Sequence, residues 1–194
     1  MAEKKAPKKK PKAAGKDAGK IYDLKVELIG GPVSQKFLDA NPVVSRTIAM
    51  RGDQTLEQLH RAIFKAFDRF DHHLYEFQFG KQPQDRDALR YVMDSDGDLH
   101  EPEPGEEAAD VDPFWRRTGP RPRPASSTTL DDLGLKTRNR FFYWFDFGDD
   151  WWHVVRVAAI RREAPEGRYP RVVEKVGKSP PQYMDEEDFE DEEG

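Results

Sequence analysis

The stretch at residues 141–159, FFYWFDFGDDWWHVVRVAA, places eight aromatic residues within its first twelve positions. Aromatic and β-branched residues, which favour strands, stand on both sides of the Gly-Asp-Asp sequence at 148–150. Two such runs joined by a turn sequence predict a β-hairpin whose strands are largely buried. We therefore expect this aromatic-rich hairpin at the centre of the fold.

The charges of the 194-residue chain are concentrated at its two ends. Residues 1–20 carry eight lysines against two acids, and residues 185–193 carry eight acids and no base. Segments of this composition bury too little apolar surface to fold. We expect disordered tails at 1–20 and 185–194 around a single domain at 21–184.

The lysine-rich tail has two interpretations. It is able to bind nucleic acid or another acidic partner through charge alone, and the same composition is common in tails that have no fixed partner. The lysines concerned are Lys4, Lys5, Lys8, Lys9, Lys10 and Lys12.

Several classes of protein are excluded by composition. The chain has no cysteine, which rules out disulfides and thiolate metal sites. No apolar run approaches the roughly 18 residues that span a membrane, and the lysine-rich start lacks the apolar segment of a signal peptide. We expect a cytoplasmic protein with no membrane contact.

Sequence periodicity predicts an α+β fold, with a mixed, mainly antiparallel sheet and one main helix packed on it. Apolar residues alternate with polar ones in a first strand at 21–30, and a second strand is expected at about 43–51. Thr55 and Gln58 form a capping-box sequence that begins the helix. Its apolar stripe, expected to face the sheet, consists of Leu56, Leu59, Ile63, Phe67 and Phe70. His60 is expected at the flank of this stripe.

The remaining elements are shorter. A third strand is expected at 71–80, helical turns at 129–132 and an extended arm after the hairpin, at 172–184. Residues 81–127 contain a strand candidate at 89–93, an acidic loop and a proline-rich basic run, and otherwise read as an irregular surface insertion.

Six segments together resemble the plasmid pRiA4b ORF-3-like proteins. They are IYDLKVEL at 21–28, TLEQLHRAIFKAF at 55–67, HHLYEF at 72–77, YWFDFGDDWWHVVRV at 143–157, RYPR at 168–171 and SPPQY at 179–183. The resemblance implies an α+β fold with helices on one side of a mixed sheet. It carries no established activity, although some relatives are labelled as resolvases or transposon passengers, which implies an association with mobile elements.

This chain departs from the family pattern at its carboxyl end. Many relatives have cysteines just after the YPR sequence and around the paired prolines, where this chain has Val172, Ser179 and Met184. A cysteine-based metal site therefore does not transfer. The resolvase label is not supported either, because neither Ser34 nor Ser45 has the arginine-rich setting of a recombinase nucleophile.

Carboxylates and histidines near the hairpin turn form the first candidate site. Such groups at one strand end hold divalent metals and support hydrolysis. The alternative is structural, because aspartates accept turn amides and a buried carboxylate takes a partner. The candidate cluster consists of Asp146, Asp149, Asp150, His153, His73 and Glu76, with His72 beside it.

Tryptophans and basic residues form the second candidate site. Trp144 and Trp152, together with Arg156, stack on bases or peptide side chains if one face of the sheet is open. Core packing of the tryptophans is the competing interpretation.

The basic run at 116–124 reads as a linker, a phosphate-binding arm or a polyproline ligand. The acidic loop is not an EF-hand, because its sixth and twelfth positions are Leu99 and Gly105.

These observations lead to two functional hypotheses. The first is a non-enzymatic module that binds protein or nucleic acid, because no complete catalytic set is visible and the tails are strongly charged. The second is a metal-dependent hydrolase that uses the Asp/His cluster of the hairpin.

Overall fold

The computed structural model describes residues 19–93, 120–162 and 165–183. In chain order its elements are β1 (Ile21–Gly30), α1 (Gln35–Ala40), β2 (Ser45–Arg51), α2 (Leu56–Ala66), β3 (Tyr75–Phe79), β4 (Leu89–Val92), β5 (Arg123–Pro124), β6 (Arg140–Phe145), β7 (Trp151–Arg161) and β8 (Arg171–Val176). Residues 1–18 and 184–194 of the two predicted disordered tails, the acidic loop and the start of the basic run lie outside the described residues, whereas Lys20 at the end of the first tail pairs with Asp131.

The eight strands form one mixed sheet in the order β5-β4-β3-β6-β7-β1-β2-β8. Every neighbouring pair is antiparallel except the parallel pair β4–β5. The predicted α+β class with a mainly antiparallel mixed sheet is confirmed, and the sheet dominates the described structure.

The predicted hairpin is confirmed as β6 and β7, which lie in the middle of the sheet. Tyr143 lies opposite His153, and Trp144 lies opposite Trp152. Side chains alternate across a strand. The sheet therefore has an α2 face, where the Tyr143 hydroxyl lies 2.7 Å from Nδ1 of His60, and an opposite face, where Trp144 and Trp152 stack.

Helix α2 begins as the sequence predicts. The Thr55 side chain accepts from the Gln58 backbone, the Gln58 side chain accepts from the Thr55 backbone, and Leu56, Leu59 and Ile63 are buried. His60, expected at the flank, is also buried, and its ring stacks on Tyr75 with centroids 3.8 Å apart.

The prediction that Phe70 belongs to the buried stripe of α2 is wrong. The helix ends at Ala66, and Asp68 takes a left-handed φ of 57° that turns the chain away from the helix axis. Phe70 is consequently 69% exposed. Helical spacing continues in the sequence beyond the point where the helix stops.

Other boundaries also differ from the predictions. The third strand covers only Tyr75–Phe79, so that Leu74 is exposed. Residues 129–132 form hydrogen-bonded turns without a helix. Helix α1 and strand β5 were not predicted, and β5 pairs with β4 inside the expected irregular insertion. No helix in the described ranges has the length and apolar character needed to cross a membrane.

The main core lies between the sheet and α2. Buried side chains of β1, β2, β3 and β6 meet Leu59 and Ile63 of the helix there. The chain leaves β1 through Gly31, which has a φ of 145° and no room for a side chain, because a Cβ would overlap the Trp151 ring. The contact of Gly31 with Trp151 holds the end of β1 against the start of β7, next to the hairpin turn where the candidate aspartates lie.

Candidate functional site

The carboxyl end of β6 is organised by Asp146. This residue has a φ of 55°, and its Oδ1 accepts the backbone N–H groups of Gly148 at 3.2 Å and Asp149 at 3.4 Å. Its Oδ2 lies 3.3 Å from Nε2 of His73. Asp146 therefore holds the turn with one oxygen and a histidine with the other.

His73 connects this turn to the carboxyl end of the described chain. Its Nε2 lies 2.9 Å from the Tyr183 hydroxyl, which itself donates to Oδ2 of Asp71 at 2.7 Å. Because the Tyr183 proton is directed to Asp71, the contact with His73 requires Nε2 to donate. A line of hydrogen bonds thus runs from His73 through Tyr183 to Asp71.

The charge states along this line follow from the hydrogen bonds. The Tyr183 hydroxyl lowers the pKa of Asp71, and the same bond to Asp71 raises the pKa of Tyr183 to about 12. At neutral pH Asp71 is therefore a carboxylate and Tyr183 a neutral phenol. Asp71 is therefore the hydrogen-bond acceptor of this pair, and Tyr183 is the donor.

Asp149 and Asp150 lie in different environments. Burial and the nearby charge of Asp146 raise the pKa of Asp149, which also interacts with His73. Asp150 instead accepts a hydrogen bond from Nε1 of Trp144 at 2.9 Å. Only Asp149 joins Asp146 and His73.

His153 is buried on the α2 face. Its ring contacts Phe67, with centroids 4.7 Å apart, and Tyr143, with centroids 5.4 Å apart. Burial, with the positive charge of Arg69 as a second cause, lowers the pKa of His153 to about 3. The imidazole is therefore a neutral part of the core at physiological pH.

Glu76 lies on the opposite face of β3 and is fully buried. Its Oε1 accepts from Nε2 of Gln78 at 2.5 Å and lies 3.8 Å from Nε of Arg90. Burial raises the pKa of Glu76. The structure thus brings together Asp146, Asp149 and His73 and places Asp150, His153 and Glu76 in three other environments.

A metal site would require more ligand side chains directed at one point. Within residues 19–93, 120–162 and 165–183, no group of three or more histidine, aspartate or glutamate side chains is arranged to hold a metal ion. The sequence led us to expect no cofactor, with a divalent metal at the Asp/His cluster as the alternative; of that cluster the structure places Asp146 3.3 Å from His73, with Asp149 beside them.

The C-terminal arm, residues 179–183, contributes contacts that the sequence analysis missed. Gln182 accepts the backbone N–H groups of Phe70 and Asp71 and donates to the Asp71 carbonyl. The buried guanidinium of Arg69 donates through Nη1 to the carbonyls of Pro180 and Pro181 and lies 3.6 Å from the Trp151 ring centroid. These bonds fasten the arm to the loop that follows α2.

A cavity of about 400 Å³ opens where the arm meets this loop. We name it the arm cavity. Its lining residues are Asp68, Phe70, Ser179, Pro180, Pro181, Gln182 and Tyr183.

The tryptophans proposed as binding residues are packed against one another. The rings of Trp144 and Trp152 stack with centroids 4.8 Å apart and are 7% and 8% exposed, and Phe142 and Val154 complete their cluster. They are part of a second apolar cluster on the opposite face. Of the three predicted binding residues, only Arg156 is exposed.

Arg156 belongs to a line of cations that crosses three neighbouring strands. It lies opposite Arg140 of β6 on one side and opposite Lys25 of β1 on the other. Arg140 is exposed and Lys25 partly so. We name these three residues the cation row. Sequence alternation placed Arg156 on this face, but Lys25 and Arg140 were missed.

Comparison with known proteins gives a family and a fold. A family model described as plasmid pRiA4b ORF-3-like protein matches residues 20–191. A solved structure of a protein of unknown function from Methanosarcina mazei Go1 is 24% identical in sequence, with a TM-score of 0.54, and the match covers 80% of this chain and 69% of that one. At this identity the likeness concerns the fold alone. A search of the curated proteins found no match.

Proposed function

The chain belongs to the plasmid pRiA4b ORF-3-like family, and from that premise we propose that residues 21–184 form a non-enzymatic binding module for a polyanion, specifically nucleic acid. In this proposal α2 is the main helix on one face, and the ligand binds the cation row on the other. The observation that carries the proposal is the direct opposition of Arg140, Arg156 and Lys25 on adjacent strands.

The cation row lowers the stability of the protein when no ligand is bound. Like charges directly opposite each other on neighbouring strands destabilise a sheet. Glu27 lies 3.8 Å from Nζ of Lys25, and both side chains are partly exposed, so the pair contributes little. Among the described residues Arg156 has no ion-pair partner. A bound polyanion would convert this repulsion into attraction.

The same strands provide a rigid base for the three charges. Neighbouring strands lie about 4.8 Å apart, so the row presents cations at closely spaced positions along a line across the sheet. A phosphate backbone that follows this line meets successive positive charges and releases its counterions. Such binding reads charge and not sequence.

The lysine-rich residues 1–20 would add to this affinity. Six of their lysines, at positions 4 to 12, are close together in the chain, and a tail of this kind contributes sequence-independent phosphate contacts. An association with mobile elements stays part of this proposal.

The prediction concerns the salt dependence of binding. Replacing Lys25, Arg140 and Arg156 together by glutamine is expected to weaken binding of a single-stranded oligonucleotide and to reduce the slope of log K against log salt. Each lost phosphate contact removes about 0.7 from that slope. Fluorescence anisotropy at several salt concentrations measures both quantities.

The matched control is Arg51→Gln, which removes an exposed cation that pairs with Asp53 at the end of β2. This control should leave the slope unchanged. A second variant lacking residues 1–20 separates the tail from the row. If deletion of the tail abolishes binding while the triple variant binds like the original chain, the row has no part in the function.

Metal-dependent hydrolysis is the alternative proposal, and it rests on Asp146, Asp149 and His73. The observation in its favour is that Oδ2 of Asp146 lies 3.3 Å from Nε2 of His73, with Asp149 in the same turn. Calorimetric titration with Mg²⁺, Mn²⁺ and Zn²⁺ tests it directly. If no metal binds at millimolar concentration, the hydrolase alternative is wrong, and the nucleic-acid proposal is unaffected.

A further inference from the structure

We propose that the arm cavity is a second binding site, which takes the cationic side chain of a basic peptide from a partner protein. The ligand is an arginine or lysine side chain, and the walls of the site are aromatic rings, prolines and a carboxylate. The inference is independent of the proposed function, because the cation row binds anions with other residues.

Two aromatic rings form a corner in the arm cavity. Phe70 and Tyr183 lie with their centroids 5.8 Å apart and their planes at 81°. Phe70 is 69% exposed and Tyr183 is 40% exposed. A flat guanidinium or an ammonium group is attracted to the face of such rings, and pairs of rings at an angle are the usual walls of sites for organic cations.

The charge beside the rings has the sign that a cation requires. Asp68 lines the cavity and receives a hydrogen bond from Ser179. Asp71 accepts from Tyr183, and this bond lowers its pKa, so that it is ionised at neutral pH. Asp146 lies on the other side of His73, and the positive charge of Arg69 offsets part of the charge of Asp146 and Asp149.

Two buried cations, Arg46 and Arg69, lie beneath the arm and interact electrostatically with Asp68. Arg69 donates to the carbonyls of Pro180 and Pro181 and stacks on Trp151. Arg46 donates to Ser179 and to backbone carbonyls. Both guanidinium groups hydrogen-bond to the arm on its buried side, and neither lines the cavity.

The cavity has a shape and lining that suit a side chain of this length. A volume of about 400 Å³ lies at the small end of ligand sites, which measure about 300–1,000 Å³. The methylene stem of an arginine or lysine packs on Pro180 and Pro181 while its charged end reaches the aromatic corner. Polyanions are repelled by the same carboxylates, so the two sites discriminate between ligands by charge.

The test is a titration followed by amide NMR shifts of the full chain. The probe is a capped Gly-Ser nonapeptide with one central arginine, and its twin carries the neutral isostere citrulline at that position. We expect the arginine peptide to shift the amides of residues 68–74, Ser179, Gln182 and Tyr183, and the citrulline peptide to bind at least about tenfold more weakly.

Two variants connect the effect to the cavity. Phe70→Ala removes an exposed ring and Asp68→Asn removes a charge while it keeps an acceptor for Ser179, and each should weaken binding of the arginine peptide about tenfold. Leu38→Ala, which shortens another exposed apolar side chain, should leave it unchanged. Equal shifts with both peptides, or shifts confined to other residues, would overturn the proposal.

The chain itself offers a competing occupant. Residues 1–18 contain seven lysines, and an extended chain of this length reaches about 60 Å. If the arginine peptide binds only after residues 1–18 are removed, the occupant is the protein's own tail and the assignment to a partner protein is wrong. If both forms of the chain bind equally, the assignment to a partner stands.

Discussion

Replacing Arg46 by methionine is expected to lower the free energy of unfolding by about 3–5 kcal/mol. Arg46 is only 2% exposed and lies on β2 beneath the end of α2, with its guanidinium over the Phe67 ring. Its donors reach the Ala66 carbonyl at 2.9 Å, the Ser45 and Val176 carbonyls at 2.8 Å, the Gly177 carbonyl at 3.2 Å and the Ser179 hydroxyl at 2.8 Å.

The size of this effect follows from what the substitution leaves behind. Methionine fills a similar volume, so little cavity is created. The acceptors of the guanidinium, however, lose their donors, and each buried acceptor without a partner costs about 1–3 kcal/mol. One side chain joins the last turn of α2, the edge strand β8 and the arm, and the loss therefore affects three elements together.

Urea unfolding followed by tryptophan fluorescence measures this change. Arg51→Met is the matched control, because Arg51 lies on the same strand but is exposed and paired only with Asp53. Exposed ion pairs contribute about 0–1 kcal/mol. Equal losses in the two variants would show that Arg46 is not the residue that holds these elements together.

The parts of the fold that the sequence predicted have a local cause. The first strand follows from alternation around Tyr22 and Leu24, the helix start from the Thr55–Gln58 capping box, and the hairpin from aromatic runs around one turn. Each signal lies within about ten residues. The predictions made from these signals hold because the elements concerned also bury an apolar face.

The missed elements lack such a signal. Helix α1 has six residues and none of them is buried, and β5 has two residues and contains a proline. The error at Phe70 has a different cause, because the helix is ended by the left-handed conformation of Asp68. A non-glycine residue in that conformation leaves no clear mark in the sequence.

The candidate cluster shows the same limit. Asp146 and His73 lie within 3.3 Å of each other near neighbouring strand ends, but alternation within β3 turns Glu76 away from Tyr75 and onto the opposite face. His153 faces the helix, because it lies opposite Tyr143. A residue that points to the wrong face cannot join a site, however near it is in the sequence.

The cation row was partly accessible from the sequence. Arg140 and Arg156 are equally distant from the hairpin turn, so the register of β6 and β7 alone places them opposite each other. Lys25 requires the long-range pairing of β1 with β7, and that pairing also contains two register shifts. No local pattern predicts such shifts, which only the complete sheet defines.

Acidification from pH 7 to pH 5 is expected to lower the free energy of unfolding by about 2 kcal/mol for each of the histidines His60 and His153. Both are buried, and burial lowers both pKa values to about 3. In the unfolded chain each pKa is about 6.5. Between these values the unfolded state binds the proton and the folded state does not, so stability falls as the pH falls.

His153→Leu isolates one of these contributions. Leucine fits an apolar site between Phe67 and Tyr143, so the variant should keep the fold and lose about 1.4 kcal/mol per pH unit from the slope of stability between pH 6 and pH 4. Urea unfolding at several pH values gives that slope. Phe67→Leu is the control, because it disturbs the ring that touches His153 without removing a titrating group. It should lower stability at every pH and leave the slope intact. If His153→Leu retains the full slope, the imidazole is already accessible to protons in the folded state, and the assignment of His153 to a neutral core position is incorrect.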